Sequence, residues 1–168
     1  MKTQALIPII LSLALTASGC ASLAPPERPI YQGADNINSA KASQLVGVWS
    51  VTDLNPYPDT APQATTIEYR ADGSIGGLIE MNKENPDGME HFGDMQFEVQ
   101  GQWVLEADTV THQNVKMNSP TEGTMSAMIA SIINQQNGIS GQANIYELSA
   151  DRIVMVSEDG NAMEYIRQ

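Results

Sequence analysis

The sequence predicts a mainly β fold, an eight-stranded antiparallel up-and-down barrel with one amphipathic helix inserted between the fifth and sixth strands. Short runs rich in β-branched and aromatic residues recur along the chain, and turn signals of hairpin length separate most of them. Residues 95–105 alternate apolar and polar side chains, as in a strand with one buried face. Such strands close into a barrel because closure removes the exposed sheet edges.

The barrel is assigned to residues 44–168. The whole chain has 168 residues, and nothing in the composition after residue 44 indicates a second domain. Its first strand is predicted at residues 45–51, an apolar run in which Gly47 precedes Trp49. Three prolines then exclude residues 53–64 from a central strand, so this stretch is predicted to be a loop.

A hairpin follows the loop. Residues 65–70 and 74–81 are predicted strands joined by a tight turn at Ala71-Asp72-Gly73. Residues 82–94 contain proline and glycine and are predicted to form a second loop.

The strand at residues 95–105 has the clearest register of the chain. A shift by one residue would expose Phe97 and Trp103, so its inward face is well specified. A further strand at 109–117 completes the first five. After the helix, the predicted strands are 142–148, 152–157 and 161–167.

The predicted helix begins at Ser119 as N-cap, with Pro120 at the first helical position and Glu122 completing a capping box. Gly138 is predicted to end it. Its apolar residues fall on one stripe at helical spacing, which favours a core-facing helix, with an adaptable ligand-binding wall as the alternative. The stripe consists of Met125, Met128, Ile129, Ile132 and Ile133.

The N-terminus has the pattern of an export signal. Residues 1–19 combine a basic Lys2, an apolar run and a patch of small residues directly before Cys20, the chain's single cysteine. Ala17-Ser-Gly-Cys20 resembles the lipobox of bacterial lipoproteins, which implies that Cys20 carries a diacylglyceryl group and begins the mature chain. The alternative is an ordinary secretory signal cleaved nearby, which would leave Cys20 in the discarded peptide.

The segment 20–43 contains Pro25, Pro26 and Pro29 and is predicted to be an extended tether that holds the domain off the lipid surface. Ala21 stands where Asp would resemble an inner-membrane retention signal, so the outer membrane, facing the periplasm, is the expected location. The net charge of −12 and the lack of a basic run argue against nucleic acid as a partner.

The order of several short motifs resembles the small lipocalin-like domains of bacterial envelope proteins. These motifs are Leu45-Val-Gly-Val-Trp49, Ala71-Asp-Gly73, Gly101-Gln-Trp103 and Asp159-Gly160 before Tyr165-Ile-Arg167. The resemblance implies that Trp49 closes one end of the barrel and that Arg167 stacks on it. It also implies that the loop 53–64 overhangs the barrel mouth.

Candidate catalytic and metal-binding residues are few. His91 and His112 belong to no nucleophile pattern, and a carboxylate hydrolase built on Glu68, Glu80 and Glu98 has no support from spacing. The acidic loop offers weak candidates for a Ca²⁺ or transition-metal site, but their spacing matches no ligand framework, so a solvated loop is favoured and no cofactor is predicted. These candidates are Asp87, Glu90, His91 and Asp94.

Two functional hypotheses remain nearly level, with an enzyme third. The first is a membrane-anchored lipoprotein whose barrel binds a lipid or another apolar small molecule. The second is a non-enzymatic envelope protein with a filled barrel, which binds a protein partner through loops such as 53–64 and 82–94. The residues expected to line the ligand site are Phe97, Trp103, Met128, Ile132, Met155 and Tyr165.

Overall fold

The computed structural model describes residues 28–56, 63–81, 95–120, 125–135 and 140–168. Eight strands form a closed barrel in which sequential neighbours pair antiparallel and β1 pairs with β8. The predicted fold class is confirmed, including the helix between β5 and β6. The elements are α1 (Ala42–Leu45), β1 (Gly47–Asp53), β2 (Gln63–Tyr69), β3 (Ser74–Met81), β4 (Met95–Glu106), β5 (Thr109–Asn118), α2 (Met125–Gln135), β6 (Gly141–Leu148), β7 (Arg152–Ser157) and β8 (Ala162–Arg167).

Strand β4 shows how the sequence pattern sets the register. Phe97, Val99 and Trp103 are buried in the barrel, whereas Glu98 and Gln100 between them are exposed. This two-residue period is the one that the sequence predicts, and it places the apolar face of β4 inward. Neighbouring strands follow the same rule, so one core cluster extends through the barrel from β1 to β8.

One end of the barrel, here called the closed end, is covered by α1. Leu45, the last residue of α1, is fully buried, and its carbonyl accepts a 2.8 Å hydrogen bond from the indole Nε1 of Trp49. The β2–β3, β4–β5 and β6–β7 turns lie at this end. Short turns and a buried tryptophan therefore leave little space for access to the interior from here.

The opposite end, here called the helix end, carries α2 against β4 and β5. A second core cluster forms there from Phe97, Met117 and Ala130, with Ile129 and Ile133 packed beside them. Ala130 thus faces the barrel, with Ile129 and Ile133 on either side of it. Compared with the orientation that would bury the whole predicted stripe, the helix is rotated by roughly 90° about its own axis. Met125, Met128 and Ile132 are consequently exposed.

Asn134 fastens α2 to the free half of β5. Strand β6 pairs with β5 only over Thr109–His112, and among the described residues no strand pairs with the remainder of β5 on that side. The Asn134 side chain takes the place of one: its Oδ1 accepts from the Met117 N–H at 2.9 Å, and its Nδ2 donates to the Met117 carbonyl at 2.6 Å. A single amide thereby satisfies both backbone groups of a buried residue.

Asn134→Ala is expected to reduce the free energy of unfolding by about 2 kcal/mol, because it leaves two backbone groups of Met117 without partners. Urea unfolding and hydrogen exchange of the Met117 amide measure the effect, and that amide should lose protection selectively. Gln135→Ala, at an exposed site on the same helix, serves as the control and should change stability by less than about 0.5 kcal/mol. Equal effects of the two substitutions would contradict the fastening role.

Residues 28–40, here called the strap, run along the outer wall of the barrel from the helix end to the closed end. The Nη1 of Arg28 donates to Asp53 at 2.9 Å and to Asn161 at 2.7 Å, and Ala40 N–H donates to the Ala107 carbonyl at 2.8 Å. Between them, Tyr31 packs against a cluster outside the barrel that includes Tyr146, Val154, Val156 and Ala162. From Arg28 onward, the predicted tether therefore contacts the barrel, while residues 20–27 lie outside the described part of the chain.

Asn55 anchors the start of the strap. It is 6% exposed, and its side-chain amide donates to the carbonyls of Pro29 at 2.6 Å and Gly160 at 2.9 Å. Its Oδ1 accepts from the Ala162 N–H at 2.8 Å. One buried side chain thus joins the strap, the β7–β8 turn and the first residue of β8.

Candidate functional site

The structure distributes the six predicted ligand-binding residues over three places. Trp103, Met155 and Tyr165 belong to the main core cluster and are at most 7% exposed. Phe97 belongs to the second cluster, beneath α2. Met128 and Ile132 are about half exposed on the opposite side of that helix, at 53% and 49%.

The barrel interior holds an aromatic and polar cluster made of Tyr69, Trp103, His112 and Tyr165. Each side chain occupies an inward position on a different strand, respectively β2, β4, β5 and β8. The Tyr69 ring meets Trp103 edge-on at 5.2 Å, stacks on His112 at 5.7 Å and lies 6.3 Å from Tyr165. The indole Nε1 of Trp103 donates to the Arg70 carbonyl at 3.1 Å.

Within this cluster, His112 is hydrogen-bonded to Tyr69 and is held in its uncharged form. Its Nε2 forms a 2.8 Å hydrogen bond with the Tyr69 hydroxyl. Burial lowers the pKa of His112 from 6.5 to about 4, because the interior disfavours the charged imidazolium. At neutral pH the imidazole is therefore uncharged.

The two tyrosines are also held in their neutral forms. Burial raises the pKa of Tyr69 well above its ordinary value, and the neighbouring Tyr165 adds to the increase. Burial likewise raises the pKa of Tyr165, whereas its hydrogen bond with Tyr69 acts in the opposite direction. The cluster is thus a neutral hydrogen-bonded network inside an apolar core, an arrangement that fixes side-chain positions.

At the closed end, the structure places the Arg167 guanidinium over the Trp49 ring, with its carbon 4.1 Å from the ring centroid. The same guanidinium donates to the backbone carbonyls of Gln44 and Val46, both at 3.0 Å. Gly47 has φ 144°, and a Cβ there would lie 2.3 Å from Arg167 Nη1. Glycine at this position therefore leaves the space through which Arg167 reaches Trp49.

The described residues offer little chemistry for catalysis or metal binding. Within the described ranges, no group of three or more His, Cys, Asp or Glu side chains lies close enough to hold a metal ion. The weak metal candidates Asp87, Glu90, His91 and Asp94 lie outside those ranges. Among the helices described, none is long and apolar enough to cross a membrane.

Three open grooves on the described surface are lined by a mixture of polar and apolar groups. A groove of about 410 Å³ lies along β3 and β4 beside Gly76 and Arg70. Another of about 590 Å³ separates α2 from β5, and a third of about 410 Å³ follows β6 and β7. None of the three has the apolar walls expected for a site that buries a lipid chain.

Sequence reasoning treated His112 as an isolated histidine and missed its pairing with Tyr69. The two residues are 43 positions apart, and their contact depends on the barrel register, which a single sequence does not display. The available signal was that both residues fall at positions whose side chains face inward in the alternating pattern of their strands. Asn55 and Asn134 were also missed, since nothing local distinguishes an asparagine that bonds to a distant backbone.

The comparisons with known proteins add a distant likeness in fold. No family model matches the chain, and no curated protein matches it in sequence. An NMR structure of a protein from Burkholderia xenovorans is 12% identical, with a TM-score of 0.44, and the match covers 86% of this chain and 96% of that one. A redesigned β-barrel is 16% identical, with a TM-score of 0.36, covering 80% of this chain and 99% of that one.

Proposed function

We propose that this chain is an envelope lipoprotein, anchored by an acylated Cys20, whose filled lipocalin-like barrel binds a protein partner through its outer surface. The observation that carries the proposal is the occupation of the interior by the chain's own side chains. Eleven buried residues form one cluster from the closed end inward. At the other end, α2 packs over the inward-facing Phe97 and Met117.

A small-molecule cup is the less favoured hypothesis because its expected lining is already in mutual contact. The aromatic side chains Trp103 and Tyr165 both pack around Tyr69, at 5.2 and 6.3 Å between ring centroids. Met155 is 1% exposed in the same cluster. An apolar ligand would have to displace these side chains, and opening a packed core costs several kcal/mol.

A non-enzymatic role agrees with the state of the titratable groups. His112 and the two buried tyrosines are neutral, and no carboxylate stands among the causes of their pKa shifts. A general acid or base needs a pKa near the working pH and contact with substrate. His112 lacks such a pKa, since burial lowers it to about 4.

The outer membrane, facing the periplasm, remains the proposed location. Support comes from the lipobox-like residues before Cys20 and from the position of Ala21. Acyl chains at roughly 0.8 kcal/mol per buried CH₂ would hold the protein on the membrane permanently.

Native mass spectrometry of the full-length protein, extracted from membranes in mild detergent, tests these points together. The expected spectrum contains the mature chain with the added mass of acylation, bound to a second polypeptide and free of any small molecule. A stoichiometric small molecule would overturn the filled-barrel proposal in favour of a ligand cup. An acylated protein without any second polypeptide would overturn the proposal of a protein partner. An unmodified mass would overturn the proposal of a lipid anchor, and Cys20→Ser provides the reference mass of the unmodified chain.

A further inference from the structure

We infer that the helix end of the barrel rests on the lipid bilayer, with Met125, Met128 and Ile132 of α2 inserted among the acyl chains. This inference rests on the proposed acylation of Cys20 and adds an orientation to it. It assigns the exposed apolar side of α2 to lipid, rather than to a second protein.

The first observation is where the exposed apolar side chains lie. Among the described residues, most large hydrophobic side chains with high exposure are at the helix end, on α2, at the start of the strap and just after β1. The remaining ones, Val48, Val104 and Ile166, lie on outward strand positions nearer the closed end. Those at the helix end are Ile30 (81% exposed), Leu54 (37%), Met125 (45%), Met128 (53%) and Ile132 (49%).

The second observation is the absence of charge on α2. The helix sequence, MSAMIASIINQ, contains no Asp, Glu, Lys or Arg, although the chain as a whole has a net charge of −12. An interfacial helix gains its binding from buried apolar area and, where it is basic, from anionic lipids. Because α2 is uncharged, we expect its insertion to depend on apolar burial and to occur in zwitterionic lipid.

The third observation is the point at which the chain leaves the structure. Arg28 is fixed at the helix end by Asp53 and Asn161. Seven residues separate it from Cys20, and the eight Cα–Cα steps between the two span at most about 28 Å when fully extended. A tilted strand of the length of β4, Met95–Glu106, covers about 30 Å along the barrel axis, so the tether can barely extend past the closed end.

These observations together orient the domain. A lipid-anchored Cys20 brings the helix end toward the bilayer, and that end presents apolar side chains on an uncharged helix. The acidic residues that give the chain its charge are absent from the part of α2 that would meet the lipid. The membrane is then contacted twice, by the acyl chains on Cys20 and by α2, and a short linker joins the two contacts. Once the acyl chains are inserted, the linker raises the effective concentration of α2 at the bilayer surface.

Site-directed fluorescence quenching in phosphatidylcholine vesicles tests the inference on the full acylated protein. With the Cys20 thiol acylated, Met128→Cys introduces the only free thiol, which is labelled with an environment-sensitive fluorophore. Val104→Cys is the matched control, because Val104 is also an exposed apolar residue, at 41%, but lies on β4 near the closed end. Ile132→Cys provides a second reporter on α2.

We expect lipids brominated on their acyl chains to quench the labels at 128 and 132 at least threefold more than the label at 104. Aqueous iodide should show the reverse order. Equal quenching at all three sites would overturn the inference, and so would labels on α2 that both quenchers fail to reach, since that result indicates a protein contact. The intact mass of the same sample reports acylation separately, so loss of the anchor is distinguishable from a wrong orientation.

Discussion

Trp49→Ala is expected to lower the free energy of unfolding by about 4 kcal/mol, the largest effect of any single substitution considered for this barrel. Trp49 is fully buried, donates a hydrogen bond to Leu45 and lies beneath the Arg167 guanidinium. Truncation removes the ring that α1 and Arg167 both pack against, and it leaves a cavity at the closed end. Chemical denaturation followed by far-UV circular dichroism measures the change.

Two further variants keep this prediction testable if Trp49→Ala fails to fold. Trp49→Phe retains most of the apolar volume but loses the Nε1 donor, so a smaller reduction of about 1 to 2 kcal/mol is expected. Val48→Ala, at the adjacent outward position that is 38% exposed, should have an effect below about 1 kcal/mol. If the alanine variants at 48 and 49 were equally stable, the closing role of Trp49 would be wrong.

Acidification from pH 6.5 to pH 4 is expected to destabilise the protein by about 3 kcal/mol through His112 alone. In the folded state the pKa of His112 is about 4, whereas in the unfolded chain it is near the ordinary 6.5. Between these values the unfolded state binds a proton that the folded state does not, so stability falls as the pH decreases. The loss begins near pH 6.5 and is nearly complete once His112 titrates in the folded state.

His112→Gln isolates this contribution, because glutamine keeps a polar side chain near Tyr69 but does not titrate. Denaturation curves at pH 7 and at pH 4 should show a drop for the wild type that exceeds the drop for the variant by about 3 kcal/mol. Hydrogen bonds from Ser74 and Ser157 hold the pKa values of Asp72 and Asp159 below their ordinary range, so these carboxylates titrate at lower pH and in both proteins. If the stabilities of the wild type and the variant changed in parallel with pH, protonation of His112 would not destabilise the folded state, and the prediction would be wrong.

The barrel itself could be predicted from the sequence because its determinants are local. The alternation in β4 fixes which side chains face inward, and the turn at Ala71-Asp72-Gly73 fixes the pairing of β2 with β3. The Gly47-Val48-Trp49 motif indicates one end of the barrel through family resemblance. The structure adds the reason for the glycine, which is the passage of Arg167.

Features that depend on contacts between distant residues could not be predicted in this way. The apolar stripe predicts that α2 is amphipathic, but which of its residues are buried, here Ser126 and Ala130, depends on how the helix packs against β4 and β5. Whether the interior is filled depends on side chains from all eight strands meeting at once. The proline-rich start of the chain predicts extended backbone, yet the attachment of the strap depends on Asn55, which has no local signature.

The strap also affects the order in which the chain assembles. Pairing of β1 with β8 joins the two ends of the domain, so it requires closure of a loop that contains every other strand. Such long-range pairing slows folding. Arg28 contacts Asp53 at the end of β1 and Asn161 directly before β8, so the strap can bind in full only after these strands have met. A contact formed after the rate-limiting step leaves the folding rate unchanged and slows unfolding. The strap is therefore expected to lower the unfolding rate of the barrel without changing its folding rate.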